Sequence, residues 1–198
     1  MPRRAVLATR NPGKVAELGR ILAPYGVELV AASYEPGPET GSSFAENALA
    51  KAVEGVAHTG LPSVADDSGL TVDALNGMPG ILSARWAGRH GDDLANLSLL
   101  LGQIEDVPAS RRGAAFVCAA AYALPDGRSE VVLGELRGTL VREPRGTNGF
   151  GYDPIFVPFG YDVTSAELSA EAKDAISHRG QAFRALAPLL AEALRTQA

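Results

Sequence analysis

Strand-like and helix-like segments alternate from the start of this chain, and that alternation restricts it to an α/β architecture. Arg4 to Thr9 is an apolar run of strand length, Lys14 to Ala23 spaces its apolar side chains as a helix does, and Glu28 to Ala32 returns to a strand pattern. Ser43 followed by Glu46 is a capping box. Phe44, Ala48, Ala52 and Val56 then recur at helical spacing, which predicts a helix from Phe44 to His58 with Asn47 and Lys51 on one face. Leu61 to Ala65 reads as a buried strand that ends in a turn at Asp66-Asp67-Ser68-Gly69, with Leu70 to Ala74 continuing it afterwards. Asp92 to Ile104 has the pattern of an Asp-capped helix. Arg112 to Leu124 and Ser129 to Val141 are β-like runs joined by Pro125-Asp126-Gly127, a long antiparallel hairpin that makes the sheet mixed. A short strand at Ile155 to Val157 precedes two helices, Ala170 to Ala175 and His178 to Thr196. With no repeat, low-complexity tract or linker, residues 1–198 are expected to form a single domain.

A chain of 198 residues, 46% hydrophobic and 21% charged, is long enough to bury a core without disulfides or a structural metal. No apolar run reaches the length of a membrane span, and the apolar stretch after Arg3-Arg4 is too short for a signal peptide. The single Cys118 fits a reducing cytoplasm, and cytoplasmic localisation is expected. A net charge of −5 argues against a polynucleotide binder, which needs a basic surface to displace counterions. Against that background the three lysines, Lys14, Lys51 and Lys173, each lie inside a compact polar motif, while arginine supplies the rest of the positive charge. A compact ammonium serves where a planar guanidinium fork fits badly, and phosphate is the ligand such placement points to.

Four motifs carry chemistry. Thr9-Arg10-Asn11-Pro12-Gly13-Lys14 lies between the first strand and the first helix, where unpaired amides and the positive end of the helix dipole favour phosphate oxygens. It lacks the glycine spacing of a Walker loop, and Asn11 with Pro12 also makes an ordinary helix start. Asp66-Asp67 supplies adjacent carboxylates, with Glu39 as a further acid, suited to a hard cation such as Mg²⁺ that completes its shell with water and substrate phosphate. An Asx-type turn accounts for the same residues. Gly146-Thr147-Asn148-Gly149-Phe150-Gly151-Tyr152-Asp153-Pro154 offers a stacking face and a carboxylate for a planar base, or equally a turn whose aromatics fill core. Lys173 with Ser177-His178-Arg179 brings cations to a helix start, fitting an anion, a carbonyl oxygen or plain solvent. One cysteine and three scattered histidines give no zinc spacing. Together the four describe a nucleoside triphosphate site.

The chain also resembles the inosine triphosphate pyrophosphatase (HAM1-like) family along essentially its whole length. The resembling blocks are Thr9 to Lys14; Glu39-Thr40-Gly41 with Phe44 to Ala48 and Lys51; Ala65 to Gly69; Gly77-Met78-Pro79-Gly80 with Ser83-Ala84-Arg85; Phe150 to Asp153; and Lys173 through Ser177-His178-Arg179. Arg89-His90-Gly91-Asp92-Asp93 carries no part of it.

The resemblance implies an elongated two-lobed α/β fold with a central mixed β-sheet flanked by helices, the substrate in the cleft between lobes, and a homodimer. The implied reaction converts ITP, dITP or XTP to the monophosphate and pyrophosphate, with Mg²⁺ as cofactor. By the resemblance Asp67 is the proton acceptor and a metal ligand, with Glu39 and Asp66 as neighbouring metal-site acids. Thr9, Arg10, Asn11, Pro12, Gly13, Lys14, Lys51 and Ser68 match phosphate or sugar contacts. Phe150, Gly151, Tyr152 and Asp153 match the base-stacking segment, and Lys173, His178 and Arg179 surround the triphosphate and the purine 6-oxo edge. Arg85 matches a block that serves substrate or dimer interface. A site of donors built for the 6-oxo edge leaves buried groups unpaired against adenine, which can discriminate by roughly 10⁴-fold. A terminal phosphatase and a non-catalytic nucleotide sensor are the rival readings.

Overall fold

The computed structural model describes residues 3–9 and 12–196. Its strands are β1 (Arg3–Leu7), β2 (Val27–Ala31), β3 (Ser63–Val72), β4 (Gly113–Ala123), β5 (Ser129–Leu140) and β6 (Phe156–Pro158). Its α-helices are α1 (Pro12–Leu22), α2 (Phe44–Thr59), α3 (Asp93–Gln103), α4 (Ala170–Ile176) and α5 (His178–Arg195). The strands form one six-stranded sheet in the order β2-β1-β3-β4-β5-β6. β1 runs parallel to β2 and β3, while β6 runs antiparallel to β5, so the sheet is mixed as expected. Leu124 N donates to Arg128 O at the turn, and Leu140 N donates to Arg112 O at the far end, the constant pairing of an antiparallel β4–β5 hairpin.

The chain divides into two compact units. The first comprises Met1–Asp67, Cys118–Gly134 and Arg179–Ala198; the second comprises Ser68–Val117 and Glu135–His178. In the first unit, strand alternation sorts side chains onto two faces. Leu7, Val64, Cys118, Ala120 and Tyr122 pack with Leu18 and Leu22 of α1 and with Phe183, Leu186 and Leu190 of α5. The opposite face, Ala8, Ala65, Ala119 and Ala121, packs with Ala48 and Ala52 of α2. Alanines on both sides let this helix approach the strands closely. Gly55 carries the same requirement, since a Cβ there would lie 2.0 Å from Ser63 Oγ. The second unit has its own core, in which Leu70, Val72, Leu97, Leu100, Ile104, Ile155 and Phe156 pack together. Buried Arg112 ties it by donating to Leu140 O, Ile104 O and Val141 O at 2.9, 2.6 and 3.1 Å.

The expected turn at Asp66-Asp67-Ser68-Gly69 is absent: β3 continues unbroken from Ser63 to Val72. Its residues are buried almost throughout, so ladder geometry is the way to satisfy their backbone groups. Gly69 is there for close approach rather than for a turn. A Cβ at Gly69 would sit 2.4 Å from both Gly80 O and Ser83 Oγ.

Candidate functional site

Asp67 lies on the β3 face that meets α2, because the residue two before it, Ala65, belongs to the same alanine layer. Ser43 caps α2 by accepting Glu46 N, although the returning Glu46 carboxylate takes Ser42 N instead of closing the box on Ser43. One turn into α2, Asn47 Nδ2 donates to Asp67 Oδ2 at 2.9 Å, and Asn47 Oδ1 accepts Gly41 N at 2.8 Å. Four residues on, Lys51 Nζ lies 2.6 Å from Glu39 Oε1 and 3.3 Å from Asp67 Oδ1, and donates to Asp66 O at 3.0 Å. The helical repeat that put Asn47 and Lys51 on one face thus delivers both to one carboxylate.

The electrostatics follow from burial. Burial pushes the Asp67 carboxyl above the usual aspartate value and Glu39 adds to this, against the lowering by Lys51 and Asn47. For Lys51, burial acts to lower the pKa, but the charges of Asp67, Glu39 and Asp66 overbalance it and leave the ammonium firmer than usual. The result is a carboxylate with raised proton affinity, one oxygen fixed by an amide and the other turned toward a cation.

Asp66, one residue earlier, faces the other side of the strand, where Arg179 Nε donates to its Oδ2 at 3.2 Å. Both side chains are almost fully buried. Glu39, Asp66 and Asp67 therefore do not converge as a three-carboxylate cage, and among the described residues no group of three His, Cys, Asp or Glu side chains could hold a metal by itself. The donor set nonetheless fits Mg²⁺, which needs only one or two carboxylates beside water and phosphate. Glu39 and Asp67 already present oxygens to one shared cation, the Lys51 ammonium.

The first motif stands at the β1–α1 junction, where α1 begins at Pro12 and Thr9 is half-buried just beyond β1. Arg10 and Asn11 lie outside the described residues, as do the side chains of Pro12, Gly13 and Lys14. Ser68 follows Asp67 on β3, half-buried. Arg85 ends the 3₁₀ turn Gly80–Arg85, also half-buried.

The second unit holds the aromatic loop. Phe150 is 63% exposed whereas Tyr152 is buried, its hydroxyl donating to Ser83 O at 2.9 Å, so one aromatic is presented and the other is core. Burial, with the nearby Asp93 charge, pushes the Tyr152 phenol well above its usual range. Asp153 is buried, accepts Phe150 N at 2.9 Å through Oδ2 and forms a short ion pair with Lys173 through the same oxygen. The Lys173 ammonium lies 5.0 Å from the Phe150 ring centroid. His178 stacks on Phe116 with centroids 5.1 Å apart and planes 13° from parallel. The sequence alone gives no role to Asn47, Phe116 or Asp93. Asn47 was legible in principle from its i, i+4 relation to Lys51; the other two act across long sequence separations that leave no local signal.

The chain is 61% identical over 197 residues to a protein of Streptomyces coelicolor named dITP/XTP pyrophosphatase, covering 96% of this chain and 98% of that one. A similarly named protein of Mycobacteroides abscessus is 60% identical over 194 residues, 94% of each chain. Among solved structures, a nucleoside-triphosphatase / dITP/XTP pyrophosphatase from Mycobacterium abscessus superposes with a TM-score of 0.79 at 61% identity, covering 93% of this chain and 99% of its own. A HAM1 protein from Coxiella burnetii reaches 0.89 at 41% identity, over 96% and 99% of the two chains. The Ham1 family model matches residues 5–189, and the chain belongs to the Ham1 family.

Proposed function

We propose that this protein hydrolyses the non-canonical purine nucleoside triphosphates ITP, dITP and XTP to the nucleoside monophosphate and pyrophosphate, removing them from the pool used for nucleic-acid synthesis. The observation that carries the reading is Asp67, a buried carboxylate of raised proton affinity held by Asn47 on one oxygen and facing Lys51, itself paired with Glu39, with the other. Asp67 accepts the proton of a water that attacks the α-phosphorus, the α–β anhydride bond breaks, and pyrophosphate leaves with its electron pair. Lys51, with Lys14 and Lys173, compensates the negative charge that develops on the phosphoryl oxygens. Mg²⁺, bound through Glu39 and Asp67, supplies Lewis-acid polarisation of the phosphate when present. Thr9 to Lys14 and Ser68 serve phosphate and sugar, Phe150 offers its exposed face to the base, and His178 and Arg179 serve the 6-oxo edge. Asp66 acts by orienting the Arg179 guanidinium rather than by completing a metal cage. The presence of non-contiguous segments in each unit supports reading residues 1–198 as one functional domain, and we take the assembly to be a homodimer in a reducing, cytoplasmic setting.

The test is turnover of ITP in H₂¹⁸O. Label recovered in IMP supports attack on the α-phosphorus. Label in pyrophosphate or in orthophosphate overturns it.

A further inference from the structure

The stretch Arg89 to Asp93 takes no part in the chemistry above, yet it ends in a contact with the base loop. Asp92 is the N-cap of α3, its carboxylate accepting Ala95 N at 3.2 Å. Helix capping therefore does not require Asp93. The Asp93 carboxylate instead accepts the backbone N–H of Gly151, 58 residues away, at 2.8 Å through Oδ2.

That bond completes a pair. Phe150 N donates to Asp153 Oδ2 and Gly151 N to Asp93 Oδ2, so the peptide planes on both sides of the Phe150 α-carbon are held by carboxylates. With both planes held, φ and ψ of Phe150 are fixed, and so is the direction in which its Cβ leaves the backbone. Gly149 and Gly151 on either side have φ of +77° and +61°, left-handed values that suit glycine. A Cβ at Gly149 would also lie 2.2 Å from Asp153 Oδ2. The ring held this way is largely exposed, with the Lys173 ammonium above it. The two amides are engaged by these carboxylates, so neither is available to read a base edge in this geometry. The loop's contribution is then the face of Phe150.

We propose that Asp93 is a positioning residue for Phe150, acting through the Gly151 amide to hold the ring ready for a purine; this rests on the nucleotide reading of the site. Replacing Asp93 by alanine removes the acceptor, whereas Asp93→Asn removes the charge but keeps an oxygen able to accept Gly151 N–H. The Asn variant thereby separates loop positioning from a favourable charge at the start of α3. Asp92→Ala removes the cap of the same helix without touching the loop.

The experiment measures amide hydrogen exchange at Gly151 by NMR, together with KM and kcat for ITP, in the wild type and these three variants. For Asp93→Ala we expect Gly151 exchange to accelerate about tenfold, and KM to rise about threefold to tenfold with kcat within about twofold. Asp93→Asn is expected to stay near wild type in both readouts, and Asp92→Ala to lower thermal stability without raising KM. An active wild type whose Asp93→Ala variant keeps KM and Gly151 protection overturns the role of Asp93, as does an Asp93→Asn variant that fails like Asp93→Ala. A wild type inert toward ITP overturns the nucleotide reading itself, and the positioning role with it.

Discussion

Replacing Asn47 by alanine cuts the connection between Asp67 and the loop that carries Glu39. Asn47 is 2% exposed and makes two bonds, donating to Asp67 Oδ2 at 2.9 Å and accepting Gly41 N at 2.8 Å. The first is a buried bond to a charged acceptor, worth about 1.5–3 kcal/mol, and the second adds about 1 kcal/mol. A loss of about 3 kcal/mol is a large fraction of the roughly 5–15 kcal/mol that holds an ordinary domain folded. At this chain length it lowers Tm by roughly 6–12 °C. With Asp67 no longer held on one oxygen, kcat should fall about tenfold to a hundredfold, since misplacement by about 1 Å has effects of that size. Urea denaturation in EDTA measures the first effect and ITP turnover the second. The Asp67→Asn background supplies a cycle, because Asn47→Ala should cost less there once the charged acceptor is gone. A stability change under about 0.5 kcal/mol together with kcat within about twofold would rule out a positioning role for Asn47.

Asp67→Asn should lower kcat by about 10²–10⁴-fold while leaving nucleotide binding intact, as measured by turnover beside calorimetric titration. In EDTA the same variant should be at least as stable as wild type at neutral pH. Burial raises the folded-state pKa of Asp67, so its contribution is fully present below the unfolded carboxylate pKa and is lost as pH rises through the folded one; at neutral pH the ionised side chain is a net burden. Melting curves across that acid-to-neutral range check the sign, and a clearly less stable variant at neutral pH contradicts it. Arg112→Lys should destabilise the second unit by about 2–4 kcal/mol, because one ammonium cannot reproduce the forked donation to three carbonyls. Denaturation midpoints read this directly. Phe150→Ala should raise KM for ITP by a factor corresponding to about 1–3 kcal/mol of lost stacking, with little change in Tm because the ring is exposed.

Where a signal is local, the sequence was legible. Ser43 marks the start of α2 and the alanine spacing marks its buried face, which puts Asn47 and Lys51 together one turn apart. The hairpin was readable from Pro125-Asp126-Gly127 between two β-like runs. The error at Asp66 to Gly69 has a physical origin. Two acids, a serine and a glycine have turn chemistry, yet Gly69 answers to Gly80 O and Ser83 Oγ, which lie beyond the span of a four-residue turn. The continuous strand also separates the two aspartates onto opposite faces, so their adjacency in sequence overstated their cooperation. Tyr152 and Phe150 are equivalent in the sequence; Tyr152 packs into the second unit's core with its hydroxyl on Ser83 O, whereas Phe150 stays exposed.

The most direct test of the central claim incubates the purified protein with Mg²⁺ and ITP, assaying pyrophosphate and orthophosphate separately, beside matched ATP and EDTA reactions. IMP and pyrophosphate should form in equal amounts, with far slower turnover of ATP and loss of activity in EDTA. Orthophosphate with IDP, or ATP turned over as fast as ITP, would contradict it.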